Sequence, residues 1–210
     1  MNVADRLLRG EIAELPSARA LLLLGGAGGA VLGVALGASS GDPLLSVFAA
    51  VKVPLLLLAT TAMCLPSFYV LLAALGLRDD LLPALRGVLA AQATLGLTLG
   101  ALAPVTVVTA LAVDNAYLVT LLDAALFALA TWAAQQVLNR HYAPLLRADP
   151  RHRTALIAWL VLYAFAGVQA AWVLRPFRGT EGFPVQFLRP EAFEQNAYVV
   201  LLEHVMRLGR

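Results

Sequence analysis

Long apolar runs alternate along this chain with short clusters of charged residues. The clusters lie at residues 5–19, 78–86, 140–153 and 175–210. A helix needs about 20 consecutive apolar residues to cross the roughly 30 Å hydrocarbon core of a bilayer. Judged against that length, the runs predict five membrane-spanning helices, at about 19–39, within 43–76, and at about 87–109, 116–138 and 154–174.

The second run is too long for one ordinary span. A continuous helix over 43–76 would extend about 51 Å at 1.5 Å per residue. The residue before a proline is biased away from the helical conformation, so Pro54 favours a break near Val53. We therefore predict an interfacial piece at 43–52 and a span at 54–76, with a single kinked helix as the alternative.

Both ends of the chain carry apolar residues at helical spacing. Leu8, Ile12 and Leu15 share one face of an otherwise charged N-terminal segment, and the last 15 residues repeat the pattern. Segments of this kind are typical of helices that lie on a membrane surface. The predicted fold is an all-α polytopic membrane protein with three parts: a cytoplasmic amphipathic helix (1–18), a five-span transmembrane domain (19–174), and an extracytoplasmic tail with an amphipathic helix (175–210).

Composition agrees with a lipid environment. The chain is 60% hydrophobic and 13% charged, with a mean hydropathy of +0.80, whereas soluble domains carry about 25% charged residues. The net charge of +2 does not indicate nucleic-acid binding, because the arginines lie at the ends of apolar runs. Cys64 is the single cysteine, so the sequence predicts neither an internal disulfide nor a cysteine-based metal site.

The distribution of arginine predicts the topology. Arginines occur in the N-terminal segment and in the connections after the second and fourth spans, but not in "SSGD" or "LAVDN" after the first and third. By the positive-inside rule the N-terminus is cytoplasmic, and five spans then place the C-terminus outside. Arginines in the tail count against this assignment. The scarcity of lysine and abundance of alanine and leucine favour a bacterial inner (plasma) membrane.

The connection after the fourth span is the most basic of these loops. It carries His141, His152 and a cytoplasmic patch of four arginines, namely Arg140, Arg147, Arg151 and Arg153. Such a patch is typical of topology signals that also contact anionic headgroups. A docking site for a soluble partner is the alternative.

Glycines recur at every fourth position of the first span. Helices in lipid gain little from burying leucine, but they gain from close backbone approach at small residues. The sequence therefore predicts a helix-packing groove, with a matching groove on the third span, formed by Gly25, Gly29, Gly33, Gly37, Gly96 and Gly100. The groove serves contact either within the chain or between subunits.

Two charged residues fall within or next to apolar runs. Lys52 and Asp123 both lie near the predicted outer face, at similar depth. Charges at such depth need a partner or water, so we predict that they pair with each other, or that Lys52 extends toward the lipid headgroups while Asp123 faces a polar cavity. The alternative is part of an ion or solute path. Amides in the spans, at Gln92, Gln135, Gln136 and Gln169, are predicted to hydrogen-bond between helices.

Enzymatic chemistry has little support in the sequence. The three histidines match no HExxH-type arrangement, and no nucleophile motif occurs. We predict no catalytic residue, metal or cofactor. The leading interpretation is a non-enzymatic membrane subunit, with the lipid bilayer and other membrane subunits or copies of itself as partners. A small homo-oligomeric ion channel or solute transporter is the first alternative, and a membrane-embedded enzyme is the second.

Overall fold

The computed structural model describes residues 16–38, 41–179, 185–189 and 196–199. Within them the chain forms five long helices and a 3-10 turn, Arg78–Asp80, before the third: α1 (Ala18–Ala38), α2 (Pro43–Ala74), α3 (Leu81–Ala112), α4 (Ala116–Ala148) and α5 (His152–Leu174). All five are long and apolar enough to cross a membrane, which confirms the predicted all-α class. Residues 1–15 and 200–210, where most of both predicted amphipathic helices fall, lie outside the described residues.

The second apolar run forms one continuous helix. The predicted break near Val53 was wrong, because Pro54 and Pro66 both lie inside α2. A proline removes one backbone hydrogen bond, but an open chain within lipid would leave several backbone groups unpaired. At about 48 Å for 32 residues, α2 either tilts or extends beyond the hydrocarbon core.

The two connections that lack arginine supply the residues that begin α2 and α4. Asp42 Oδ1 accepts a 2.8 Å hydrogen bond from the backbone N–H of Leu44 at the start of α2. Asn115 Oδ1 accepts a 3.0 Å bond from the N–H of Tyr117 at the start of α4. Both side chains satisfy backbone donors that have no partner within the helix. The polar residues of these loops therefore fix where the spans begin.

The five helices form an arc rather than a closed bundle. Helix α1 packs against both α2 and α3, α4 packs on α3, and α5 packs on α2. Helices α4 and α5 follow each other in sequence but scarcely touch. Phe68 of α2 and Trp159 of α5 lie at the core, with ring centroids 4.9 Å apart. The arc is therefore open between α4 and α5.

The two ends of the arc differ. We call the end that carries residues 75–80 and 149–151 the loop end, and the end that carries residues 175–179 and 185–189 the tail end. The loop end holds the arginines of the predicted basic patch. The tail end holds Lys52 and Asp123, and segments of the tail pack against both.

Candidate functional site

The predicted glycines lie at contacts between helices, but those of α1 contact two helices, α2 and α3, instead of α3 alone. Gly25 of α1 contacts α3, where a Cβ on Gly96 would overlap the backbone of Gly25. Gly33 and Gly37 approach the backbone of α2. Gly29 lies against side chains of α2, and Gly100 lies against Gly28, which the prediction omitted. Since all these contacts are within the chain, the groove offers no free surface to another subunit.

Lys52 is buried by the tail. Its side chain is 0% exposed. Its Nζ donates to the carbonyl oxygens of Pro176 at 2.9 Å and Gln186 at 3.4 Å, and it lies 5.3 Å from the centroid of the Phe187 ring. The ring of Phe187 also meets Phe48 of α2 edge to face. An ammonium that would be costly in lipid thus finds two carbonyls and an aromatic face.

Asp123 pairs with the tail as well. Its Oδ2 accepts hydrogen bonds from Nε of Arg178 at 2.9 Å and from Nη2 at 2.6 Å. The predicted pair of Lys52 with Asp123 is therefore wrong in its partners, although both charges lie at the tail end as expected. Sequence reasoning missed Arg178 because the irregular segment after α5 has no periodicity from which its position follows.

A second part of the tail returns along α5. The backbone N–H of Ala197 donates to Gln169 Oε1 at 3.2 Å. The hydroxyl of Tyr198 donates to the carbonyl oxygen of Phe165 at 2.7 Å, and the two rings stack with centroids 4.3 Å apart. Among the described residues, Gln169 thus bonds to the tail and not to a neighbouring span.

The four arginines of the predicted basic patch are all exposed at the loop end. The side chain of Arg151 donates three hydrogen bonds to the carboxylate of Asp149, and its Nη1 donates to the carbonyl oxygen of Leu75 at 2.8 Å. The nearby guanidinium lowers the pKa of the Asp149 carboxyl. Arg151 thereby joins the end of α2 to the start of α5, while Arg147 and Arg153 extend outward.

Three polar side chains meet behind this patch. His152 is 0% exposed, and its Nε2 lies 3.1 Å from Asp80 Oδ2 while its Nδ1 lies 3.5 Å from the hydroxyl of Tyr142. An Asp–His–Tyr series can hold and orient a proton. None of the three lines the cavities described below. Their contacts join the 3-10 turn, α4 and α5, so we assign them a structural role.

His141 also makes a structural contact. Its Nδ1 bonds to the carbonyl oxygen of Val137 at 2.9 Å. Sequence reasoning grouped the two histidines by their loop and missed Asp80 and Tyr142. A signal was available, because Asp80 follows the second span directly and the connection between the fourth and fifth spans is short, so the residues share one end of the fold.

Replacing His152 with alanine is expected to lower the free energy of unfolding by about 2 kcal/mol, because it removes a fully buried ring and its hydrogen bond to the carboxylate of Asp80. Thermal unfolding in a mild detergent measures the change. Arg153→Ala, the exposed neighbour, is the matched control and should stay within about 0.5 kcal/mol of the parent. An equal loss in both variants would contradict a structural role specific to His152.

The opening between α4 and α5 leads into an apolar cleft. Its tail-end cavity has a volume of about 590 Å³ and is lined in part by Thr106, Asp123 and Arg178. Its mid-span cavity has a volume of about 500 Å³ and reaches Leu138 and Trp159. The two cavities share three lining residues, Leu56, Phe127 and Ala171. Volumes of this size are typical of small-molecule sites.

Polar atoms without partners lie in the walls of the cleft. Thr106 Oγ1, Asp123 Oδ1 and Gln92 Oε1 are buried and have no hydrogen-bond partner among the described residues. The side chain of Gln92 also interacts with that of Tyr163. Buried polar groups in native proteins are nearly always hydrogen-bonded. Three unpaired oxygens along one cleft therefore make it the best candidate for a binding site.

The described residues hold no group of three or more His, Cys, Asp or Glu side chains that could bind a metal ion. The chain matches no family model, no curated protein and no solved structure. The functional argument therefore rests on the geometry of the helices, the tail and the cleft.

Proposed function

We propose that this protein is a non-enzymatic integral membrane subunit that packs into a larger or homo-oligomeric assembly through the outward face of α4. The observation that carries the proposal is a pair of polar side chains on that face. Trp132 is 62% exposed, and Gln136, one helical turn further on, is also exposed.

The depth of these residues supports a protein neighbour instead of lipid. Trp132 lies eight residues before Arg140, about 12 Å along the helix, and Gln136 lies four residues before it, about 6 Å along the helix. An indole N–H and an amide facing hydrocarbon would lack partners there. Amide side chains commonly hydrogen-bond between membrane helices, so a helix of another subunit satisfies both.

Disulfide formation between engineered cysteines in native membranes tests this interface. In a Cys64→Ser background, Leu129→Cys places a thiol on the same face of α4, where Leu129 is 49% exposed. We expect one discrete adduct, with a mass of twice 22.2 kDa if the neighbour is a second copy. Adding Gln136→Leu should reduce its yield about fivefold, since the loss of one hydrogen bond costs about 1 kcal/mol.

Met63→Cys is the matched control, because Met63 is 56% exposed on α2. It should give no discrete adduct. The absence of an adduct at position 129, or equal yields at positions 129 and 63, would overturn the proposal.

We further propose that the loop end faces the cytoplasm of a cell with an inner (plasma) membrane, so that the tail is extracytoplasmic. Exposed arginines concentrate at the loop end. Two of the tail arginines that count against this assignment are engaged with the protein, since Arg178 bonds to Asp123 and Arg175 lies 3.2 Å from the centroid of the Trp172 ring. Reporter fusions at either end of the chain test the orientation.

Transport of a small solute is the second candidate function. It is favoured by the tail-end cavity, where Asp123 and Thr106 each place an oxygen that has no hydrogen-bond partner within the described ranges. Reconstitution of the purified protein into liposomes distinguishes the two functions, because a transporter passes solute without other proteins and an accessory subunit does not.

A further inference from the structure

We infer that the cleft between α4 and α5 binds one membrane phospholipid whose headgroup carries a primary ammonium, with the headgroup in the tail-end cavity and an acyl chain in the mid-span cavity. This goes beyond the proposed subunit role and uses a different surface, because the cleft faces inward from α4 whereas Trp132 and Gln136 face outward.

The polar end of the ligand follows from the walls of the tail-end cavity. Asp123 Oδ1 is a buried acceptor with no hydrogen-bond partner in the part of the chain that the structure describes, and Thr106 Oγ1 lies in a side chain that is 1% exposed. Both can accept a hydrogen bond. A primary ammonium donates three hydrogen bonds, whereas a quaternary ammonium donates none. The cavity therefore selects an ethanolamine headgroup over a choline headgroup.

The charges around the cavity also match a zwitterion. Arg178 and Asp123 both line it, and they are held together by their own hydrogen bonds. A phospholipid of this class carries a phosphate next to its ammonium. The guanidinium attracts the phosphate and the carboxylate attracts the ammonium, so the site is complementary in charge without any net excess.

The apolar end follows from the length and lining of the cleft. Asp123 and Leu138 are 15 residues apart on α4, a rise of about 22 Å. One leaflet occupies about half of a 30 Å hydrocarbon core, or about 15 Å. The cleft is therefore long enough for an acyl chain, and its opening between α4 and α5 gives the chain a path from the bilayer.

Native mass spectrometry of the full chain tests the inference. The protein is equilibrated in detergent with equal amounts of ethanolamine and choline phospholipids that have identical acyl chains. We expect one bound lipid per chain, with the ethanolamine lipid favoured about tenfold, as expected for one additional hydrogen bond to a charged group. Equal binding of both lipids, or the absence of a bound lipid, would overturn the inference.

Two variants separate the headgroup site from the chain site. Thr106→Val removes an oxygen that has no partner in the described part of the chain and nearly preserves the side-chain volume, so the variant should fold. Its preference for the ethanolamine lipid over the choline lipid should fall about fivefold. Ala164→Leu fills the mid-span cavity that Ala164 lines and should reduce binding of both lipids. Normal binding by Ala164→Leu would contradict the placement of the chain.

Two further variants serve as controls. Ala62→Leu adds the same side chain at an exposed alanine of α2 and should leave lipid binding unchanged. Gln136→Leu, which reduces the cross-link of the proposed interface, should also leave the lipid ratio unchanged. Loss of the lipid preference in Gln136→Leu would place the lipid between subunits and would refute a site inside the cleft.

Discussion

Replacing Gly28 with alanine is expected to lower the free energy of unfolding by about 3 kcal/mol, the upper part of the range for overpacking a well-packed contact. A Cβ at this position would overlap the backbone carbonyl of Gly96 on α3. Backbone cannot rotate away as a side chain can, so α1 and α3 must separate. Their separation also removes the short contacts by which helices associate in lipid.

Gly26→Ala is the matched control, only two residues away. A Cβ at Gly26 meets nothing within 4 Å, so the alanine adds no clash and gains about 0.5–1 kcal/mol in helix propensity. Thermal unfolding of both variants in one detergent should therefore move in opposite directions. A loss of stability in Gly26→Ala, or none in Gly28→Ala, would show that glycine contacts do not hold α1 in place.

The five spans could be predicted because hydropathy acts on whole segments. Each apolar run must leave water regardless of which neighbour it packs against, so the position of a span needs no knowledge of contacts. Predicting which helix packs against each face of a span does require knowledge of the contacts. Gly25 and Gly33 share one predicted stripe, yet Gly25 faces α3 and Gly33 faces α2, because α1 lies between two helices.

The break predicted at Val53 failed for a related reason. The bias against a helical residue before proline is a local preference. Within a span it competes with the requirement that every backbone group be hydrogen-bonded without water. Pro54 therefore lies inside α2, and only the ends of α2 follow the local signals, with Asp42 as its first cap.

The partners of Lys52 and Asp123 could not be predicted from depth alone. Depth places both charges near the tail end, but it does not say what covers them. Arg178 lies 55 residues from Asp123 in sequence, in a segment with neither helical nor strand periodicity. The unpaired oxygen of Thr106 was equally hidden, because a threonine in a helix usually bonds to its own backbone, as Thr94 does.

Breaking the pair of Asp123 and Arg178 is expected to release the tail. Asp123→Leu leaves the guanidinium of Arg178 without its carboxylate, and Arg178→Leu leaves the carboxylate without its guanidinium. Breaking a fully buried pair costs about 3–5 kcal/mol. Since these side chains are 17% and 22% exposed, we expect about 2 kcal/mol for each variant, measured by thermal unfolding in detergent, together with faster cleavage by chymotrypsin after Phe187.

The double variant, Asp123→Leu with Arg178→Leu, distinguishes the pair from its separate residues. Apolar side chains of similar size leave no charge unpaired, and such replacements are often neutral in stability. The double variant should therefore recover most of the loss, with a coupling energy of about 2 kcal/mol. Losses that simply add would mean that Asp123 and Arg178 stabilise the protein separately, and that the tail is held by contacts without charge pairing, such as those of Lys52 with the carbonyl oxygens of Pro176 and Gln186.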